Sequence, residues 1–122
     1  MVTVGAILEG SMGDIWAYRV SRQGGLTLVA LSGEVDMSAE DRLADVLLAE
    51  LGRADTVELR IDLGGVTFLD SSAINVLVRV FNAAREAGRE LHLVRARRSP
   101  LKVLEMTGLM PLLAVEEGDE PG

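Results

Sequence analysis

The chain has 122 residues, a formal net charge of −7 and no cysteine. This length suits one domain built around a single hydrophobic core. Nucleic acid is a poor partner for such a chain, because binding to a phosphate backbone needs a basic surface. No run approaches the ~20 apolar residues that cross a bilayer, so we expect no membrane insertion. Without cysteine, disulfides and thiolate sites are excluded.

Three segments are predicted from composition. Residues 1–13 form an N-terminal extension, either loosely ordered or a leading strand, and lack the basic start of a signal peptide before Glu9. A cytoplasmic location is therefore expected. The folded domain is predicted over 14–115, and residues 116–122 form an acidic C-terminal tail.

A hairpin followed by a helix is predicted for the first half. The segments IWAYRV (15–20) and LTLVAL (26–31) are strand-like, and the intervening SRQGG supplies a glycine turn. Apolar residues then recur every three or four positions from Met37 to Leu51, which is typical of an amphipathic helix. Ser38 and Asp41 follow the pattern of a capping box, and Gly52 is placed to end the helix.

The second half alternates strands and helices. We predict a strand in TVELRIDL (56–63), a turn at Gly64 and Gly65, a helix over 71–87 ended by Gly88, and a strand over 91–94. Ser99 and Pro100 open a third helix that stops at Gly108, and 109–115 is a last strand or an apolar lid. This order predicts an α/β fold, with a mixed sheet of four to five strands, an N-terminal hairpin and helices packed on the sheet.

Catalytic and metal sites find little support in the sequence. His92 is the single histidine, and nothing in the sequence brings it near Ser71. The segment LDSSA (69–73) lacks both glycines of a Gly-x-Ser-x-Gly nucleophile elbow. No carboxylate spacing matches a calcium loop, and no glycine-rich phosphate loop is present. We therefore predict no enzyme activity, no metal and no cofactor.

The stretch VTFLDSSAI (66–74) carries the chain from a strand into the second helix. Asp and Ser are favoured N-caps because their oxygens accept hydrogen bonds from the free N–H groups of the first turn. The same helix terminus also favours a phosphoryl group, since its N–H groups and dipole attract negative charge. Capping by Asp70, Ser71 or Ser72 is thus compatible with phosphorylation.

Several motifs together resemble the STAS domains of bacterial anti-sigma factor antagonists. These motifs are GEVD (33–36), LGGVTFLDSS (63–72), Ser99 with Pro100, and MTGL (106–109). They occur in the family's order and spacing over about residues 14–115. The resemblance implies the STAS fold and a protein that takes part in partner switching.

The resemblance also implies a mechanism and its residues. Ser71, or as second choice Ser72, would be phosphorylated by an anti-sigma factor that is a serine kinase with a histidine-kinase-like ATPase fold. The unphosphorylated chain would bind this anti-sigma factor and release the sigma factor, and a PP2C-type phosphatase would restore it. The implied partner-binding residues are Asp36, Asp70, Ser71, Ser72 and Ala73.

Ala73 is a departure from the family pattern, which usually has glycine there. Its additional Cβ favours the helix but could obstruct close approach by a kinase backbone. The alternative function is therefore a STAS scaffold subunit of a larger signalling or transport assembly that is never phosphorylated.

Overall fold

The computed structural model describes residues 3–8, 16–96 and 115–117, with side chains described for 16–96. Its strands are β1 (Thr3–Leu8), β2 (Trp16–Gln23), β3 (Leu26–Val35), β4 (Glu58–Leu69), β5 (Glu90–Ala96) and β6 (Val115–Glu117). Its helices are a 3-10 turn (Met37–Ala39), α1 (Glu40–Leu51) and α2 (Ser71–Ala87). The predicted helix that begins at Ser99 lies outside the described residues, as does 109–114.

The strands form one sheet in the order β1-β2-β3-β4-β5-β6. The β1–β2 and β2–β3 pairs are antiparallel, and the three remaining pairs are parallel. Gly24 allows the tight β2–β3 turn, because its φ of +62° suits a residue without Cβ. The predicted hairpin and the α/β fold class are confirmed. The sheet has six strands where four to five were predicted, because β1 and β6 lie at its two edges.

The core lies between one face of the sheet and the two helices. Alternate residues of β3 and β4 point into it, as the period of a strand requires. Fully buried side chains from both strands and both helices meet there, including Val29, Ile61, Leu43, Leu47 and Leu77. Each contributes roughly 1.5–3 kcal/mol by burial, so the helices are fixed on the sheet mainly by this contact.

Helix α2 begins and ends where the sequence predicts. Asp70 is its N-cap and Gly88 its C-cap, with a φ of +68° in the left-handed region that favours glycine. Neither α1 nor α2 combines the length and apolar character that a membrane-spanning helix needs.

The predicted capping box at the first helix is wrong. The side chain of Asp36 caps the 3-10 turn, and Ala39, at the N-cap of α1, contributes no side-chain hydrogen bond. Ser38 therefore lies inside the 3-10 turn and donates to Asp36 instead of capping α1. The sequence pattern could not distinguish these cases, because a 3-10 turn moves the cap toward the N-terminus.

The predicted turn at Gly64 and Gly65 is also wrong, because β4 continues through both residues. On β3, Ala30 pairs with Asp62 and Ser32 pairs with Gly65, so two residues of β4 face one residue of β3. This is a β-bulge, a feature that glycine facilitates. The bulge keeps β4 in the sheet up to Leu69 and so delivers Asp70 beside the end of β3.

Candidate functional site

Two parallel strands end side by side at the candidate site. Val35 of β3 pairs with Leu69 of β4, and the next residues along the chain are Asp36 and Asp70. The Asp70 N–H donates to the carbonyl of Val35 at 3.3 Å, which ties the two strand ends together. We call residues 34–38 and 68–72 the carboxyl-end surface.

Asp36 is fixed by its own loop. Its Oδ1 accepts from the Ser38 hydroxyl at 2.6 Å and from the Ser38 N–H at 2.9 Å. These bonds, the hydroxyl contributing most, hold the pKa of Asp36 below its ordinary value of about 3.9. The carboxylate is thus ionised at neutral pH. The stabilisation it gives the loop is present above the ordinary pKa and is lost as the pH falls through the lowered one.

Asp70 provides the cap that the sequence analysis assigned to the Asp-Ser-Ser segment. Its Oδ1 accepts from the Ala73 N–H at 3.0 Å, and its carbonyl accepts from the Ile74 N–H at 3.0 Å. Such a cap contributes about 1 kcal/mol. Because Asp70 carries out this role, neither serine is needed to begin α2.

The two serines differ in exposure. Ser71 is the first residue of α2 and is exposed, whereas Ser72 is half-buried. Within the described part of the chain, the Ser71 hydroxyl makes no hydrogen bond. Ser71 is therefore the more accessible hydroxyl, on a helix terminus that Asp70 holds in place.

Ala73 is fully buried, at 0% exposure. Its methyl group belongs to the face of α2 that also buries Ile74 and Leu77. A partner could not touch this methyl group without opening the core. The side chain of Ala73 is therefore not a proposed partner contact, although its N–H donates to the Asp70 carboxylate.

His92 is not hydrogen-bonded to Ser71. It lies on β5, where its Nε2 is 3.2 Å from Glu90 and 3.8 Å from Glu58. Among the residues that the structure describes, no cluster of three or more His, Cys, Asp or Glu side chains could hold a metal ion. Within residues 16–96, the Ser71 hydroxyl therefore has no histidine as a hydrogen-bond partner.

Two exposed apolar side chains at this surface were not predicted from the sequence. Met37 is 70% exposed and Phe68 is 44% exposed. Counted from the buried Val66, strand alternation would bury Phe68. A second register shift between β3 and β4 follows Val66 and leaves Phe68 exposed instead. The sequence did offer one signal for Met37, because it is a large apolar residue that directly follows the predicted contact residue Asp36.

The chain is similar to known proteins over most of its length. The STAS domain profile matches residues 17–118. An anti-sigma-B factor antagonist of Staphylococcus aureus (strain NCTC 8325 / PS 47) is 27% identical over 92 residues, which cover 75% of this chain and 84% of that protein. A crystal structure of an anti-sigma factor antagonist from Mycobacterium paratuberculosis has a TM-score of 0.76 and 26% identity, covering 87% of this chain and 89% of that one.

A transporter contains a similar unit. The murine anion transporter Slc26a9 matches with a TM-score of 0.69 and 16% identity, covering 80% of this chain but 17% of the transporter. At this identity the likeness concerns the fold alone.

Proposed function

Because the chain belongs to the STAS domain family, we propose that it is an anti-sigma factor antagonist whose binding is switched by phosphorylation of Ser71. In the unphosphorylated form it binds an anti-sigma factor and releases the sigma factor. The anti-sigma factor is a serine kinase with a histidine-kinase-like ATPase fold, and a PP2C-type phosphatase removes the phosphate. ATP belongs to the kinase, so this chain needs no cofactor, and the exchange takes place in the cytoplasm.

One observation carries the proposal: Ser71 has an exposed hydroxyl, without a hydrogen bond to any residue whose side chain the structure describes, at the start of a helix that Asp70 caps. A phosphate there adds a charge of about −1.5 to −2 and three acceptor oxygens. The helix terminus tolerates this charge. The effect is therefore expected at the interface with a partner, while the fold persists.

The aspartates of the carboxyl-end surface are proposed partner contacts. Asp36 and Asp70 are held by local hydrogen bonds and lie at neighbouring strand ends. Their carboxylates favour a partner surface that offers lysine or arginine. A new phosphate on Ser71 would compete for those basic groups and would also have to be desolvated for the contact to form.

Displacement of the sigma factor tests the proposed function. The unphosphorylated chain is added to the preformed complex of anti-sigma factor and sigma factor without ATP, and the products are separated by size-exclusion chromatography. We expect free sigma factor and a new complex of this chain with the anti-sigma factor. An unchanged anti-sigma–sigma complex at saturating chain concentration would contradict the proposal.

Replacing Ala73 by the family's glycine is expected to affect stability and to leave recognition unchanged. The substitution loses one buried methyl group and helix propensity, so urea unfolding should show a loss of about 1–2 kcal/mol. Because that methyl group is buried, the affinity of Ala73→Gly for the anti-sigma factor should equal that of the wild type in titration calorimetry. A large gain or loss of affinity would contradict this expectation and show that the Ala73 Cβ affects the interface with the anti-sigma factor.

A second candidate is a scaffold subunit of a signalling or transport assembly that never receives phosphate. The occurrence of this fold as a part of a transporter favours it. Under this hypothesis, a pull-down from cell lysate would retrieve an assembly without a kinase. Ser71→Ala would then leave both regulation and stability unchanged, because the cap is provided by Asp70.

A further inference from the structure

Exposed large hydrophobic side chains are few in the part of the chain with described side chains. They are Met37, Val57 and Phe68, exposed by 70%, 62% and 44%. Two of these three belong to the carboxyl-end surface, whereas Val57 precedes β4 at the opposite end of the sheet. Apolar side chains gathered at one place on a surface are typical of an interaction site.

Backbone geometry brings the two side chains to the same surface. Phe68 pairs with Glu34 in the second-last pair of the β3–β4 ladder, and Met37 begins the 3-10 turn directly after Asp36. The hydrogen bond from the Asp70 N–H to the Val35 carbonyl joins the two segments. Met37 and Phe68 are thus carried by the same two strand ends as the capping aspartates.

The segments that carry the apolar pair are rich in acidic residues. Residues 34–41 hold four acidic side chains and no basic one, and Asp70 adds a fifth carboxylate from the neighbouring strand end. Among residues 16–96, no basic side chain forms an ion pair with Glu34, Asp36 or Asp70. The surface therefore offers two apolar side chains together with carboxylates that have no cation partner in the described part of the chain.

We propose that Met37 and Phe68 are the apolar anchors of the partner interface, and that the partner protein presents an apolar pocket flanked by lysine or arginine. This inference rests on the proposed function and specifies the partner chemistry of that surface. Large side chains that become buried on binding carry most of the affinity in protein interfaces, and charges around them mainly set the association rate. The anchors supply affinity, while the carboxylates and the phosphorylation state of Ser71 modulate it.

Matched serine substitutions test the anchors. Met37→Ser and Phe68→Ser are compared with Val57→Ser, which removes an apolar side chain of intermediate exposure from the other end of the sheet. Binding to the purified anti-sigma factor is measured by titration calorimetry, and circular dichroism melting confirms that each variant is folded. Met37→Ser and Phe68→Ser should each weaken binding by about tenfold or more, and Val57→Ser should bind as the wild type does.

The outcomes separate this inference from the proposed function. If Met37→Ser and Phe68→Ser bind the anti-sigma factor with the affinity of the wild type, these residues are not anchors, and the proposed function is unaffected. A wild-type chain that does not bind the anti-sigma factor overturns both. If sedimentation shows that the chain alone forms a dimer that Met37→Ser dissociates, a second copy occupies the surface and the proposed partner chemistry is wrong.

Discussion

Replacing Ser71 by aspartate is expected to weaken binding to the anti-sigma factor by about tenfold or more, a loss of about 1.4 kcal/mol. Ser71→Ala should retain the affinity of the unphosphorylated wild type. The hydroxyl makes no hydrogen bond within the described part of the chain, so its removal costs nothing locally. An added carboxylate, in contrast, must be desolvated in an interface that already contains Asp36 and Asp70.

The effect of Ser71→Asp is expected at the interface and not in the fold. A negative charge in the first turn of a helix is stabilising by a few tenths of a kcal/mol to about 1 kcal/mol. Thermal unfolding of the variant should therefore be unchanged or slightly improved while its binding falls. A fall in melting temperature together with a fall in binding would indicate damage to α2 instead of a switch.

Ser72→Asp is the matched control for position. Ser72 is half-buried where Ser71 is exposed, so a charge at position 72 is placed partly against the protein and is expected to reduce stability. Titration calorimetry of Ser71→Asp, Ser71→Ala and Ser72→Asp against the anti-sigma factor measures the three affinities and checks the prediction for position 71. Equal affinities for Ser71→Asp and Ser71→Ala would contradict it.

Replacing Gly65 by alanine is expected to destabilise the protein by about 1–3 kcal/mol, the usual cost of overpacking. A Cβ at this position would lie 2.9 Å from the Ser32 Cβ and 3.1 Å from the Leu31 carbonyl oxygen. These atoms belong to or adjoin the backbone of β3, so the two strands must separate for the methyl group to fit. The separation would occur in the segment that delivers Asp70 to the end of β3.

Gly64→Ala is the control that isolates this effect. The three atoms nearest to its Cβ would all belong to the guanidinium of Arg95, the closest being Nη2 at 2.5 Å, and that flexible side chain can move away. Its movement would give up an exposed ion pair with Asp62, which contributes about 0–1 kcal/mol. In urea unfolding, the free energies of unfolding of the wild type and Gly64→Ala should be similar, and that of Gly65→Ala should be clearly lower. Equal stabilities of the two alanine variants would refute the role given to the bulge.

Local signals in the sequence were sufficient for α2. Asp70 before its first residue and Gly88 after its last mark both ends, because caps depend on residues within one turn of the helix. The hairpin was predictable for the same reason, since Gly24 alone supplies the left-handed conformation of the turn. In both cases the deciding contacts lie close together along the chain.

Glycines at positions 64 and 65 were misread because their role depends on a distant strand. A glycine pair is typical of a turn, and only the neighbouring β3 shows that β4 continues through a bulge. The burial of Ala73 and the exposure of Met37 likewise depend on what packs against each residue. For the candidate site, the sequence therefore predicted a helix cap among Asp70, Ser71 and Ser72, and the structure was needed to assign it to Asp70 and to find the apolar side chains.

The phosphorylation switch at Ser71 is tested most directly by locating the phosphate on the chain after treatment with the kinase. The unphosphorylated chain is incubated with its anti-sigma factor kinase and ATP, and the product is digested and analysed by mass spectrometry. We predict one phosphate, located on Ser71, and none in the Ser71→Ala variant treated in parallel. An unmodified wild-type chain in the presence of a kinase shown to be active on another substrate would contradict the switch.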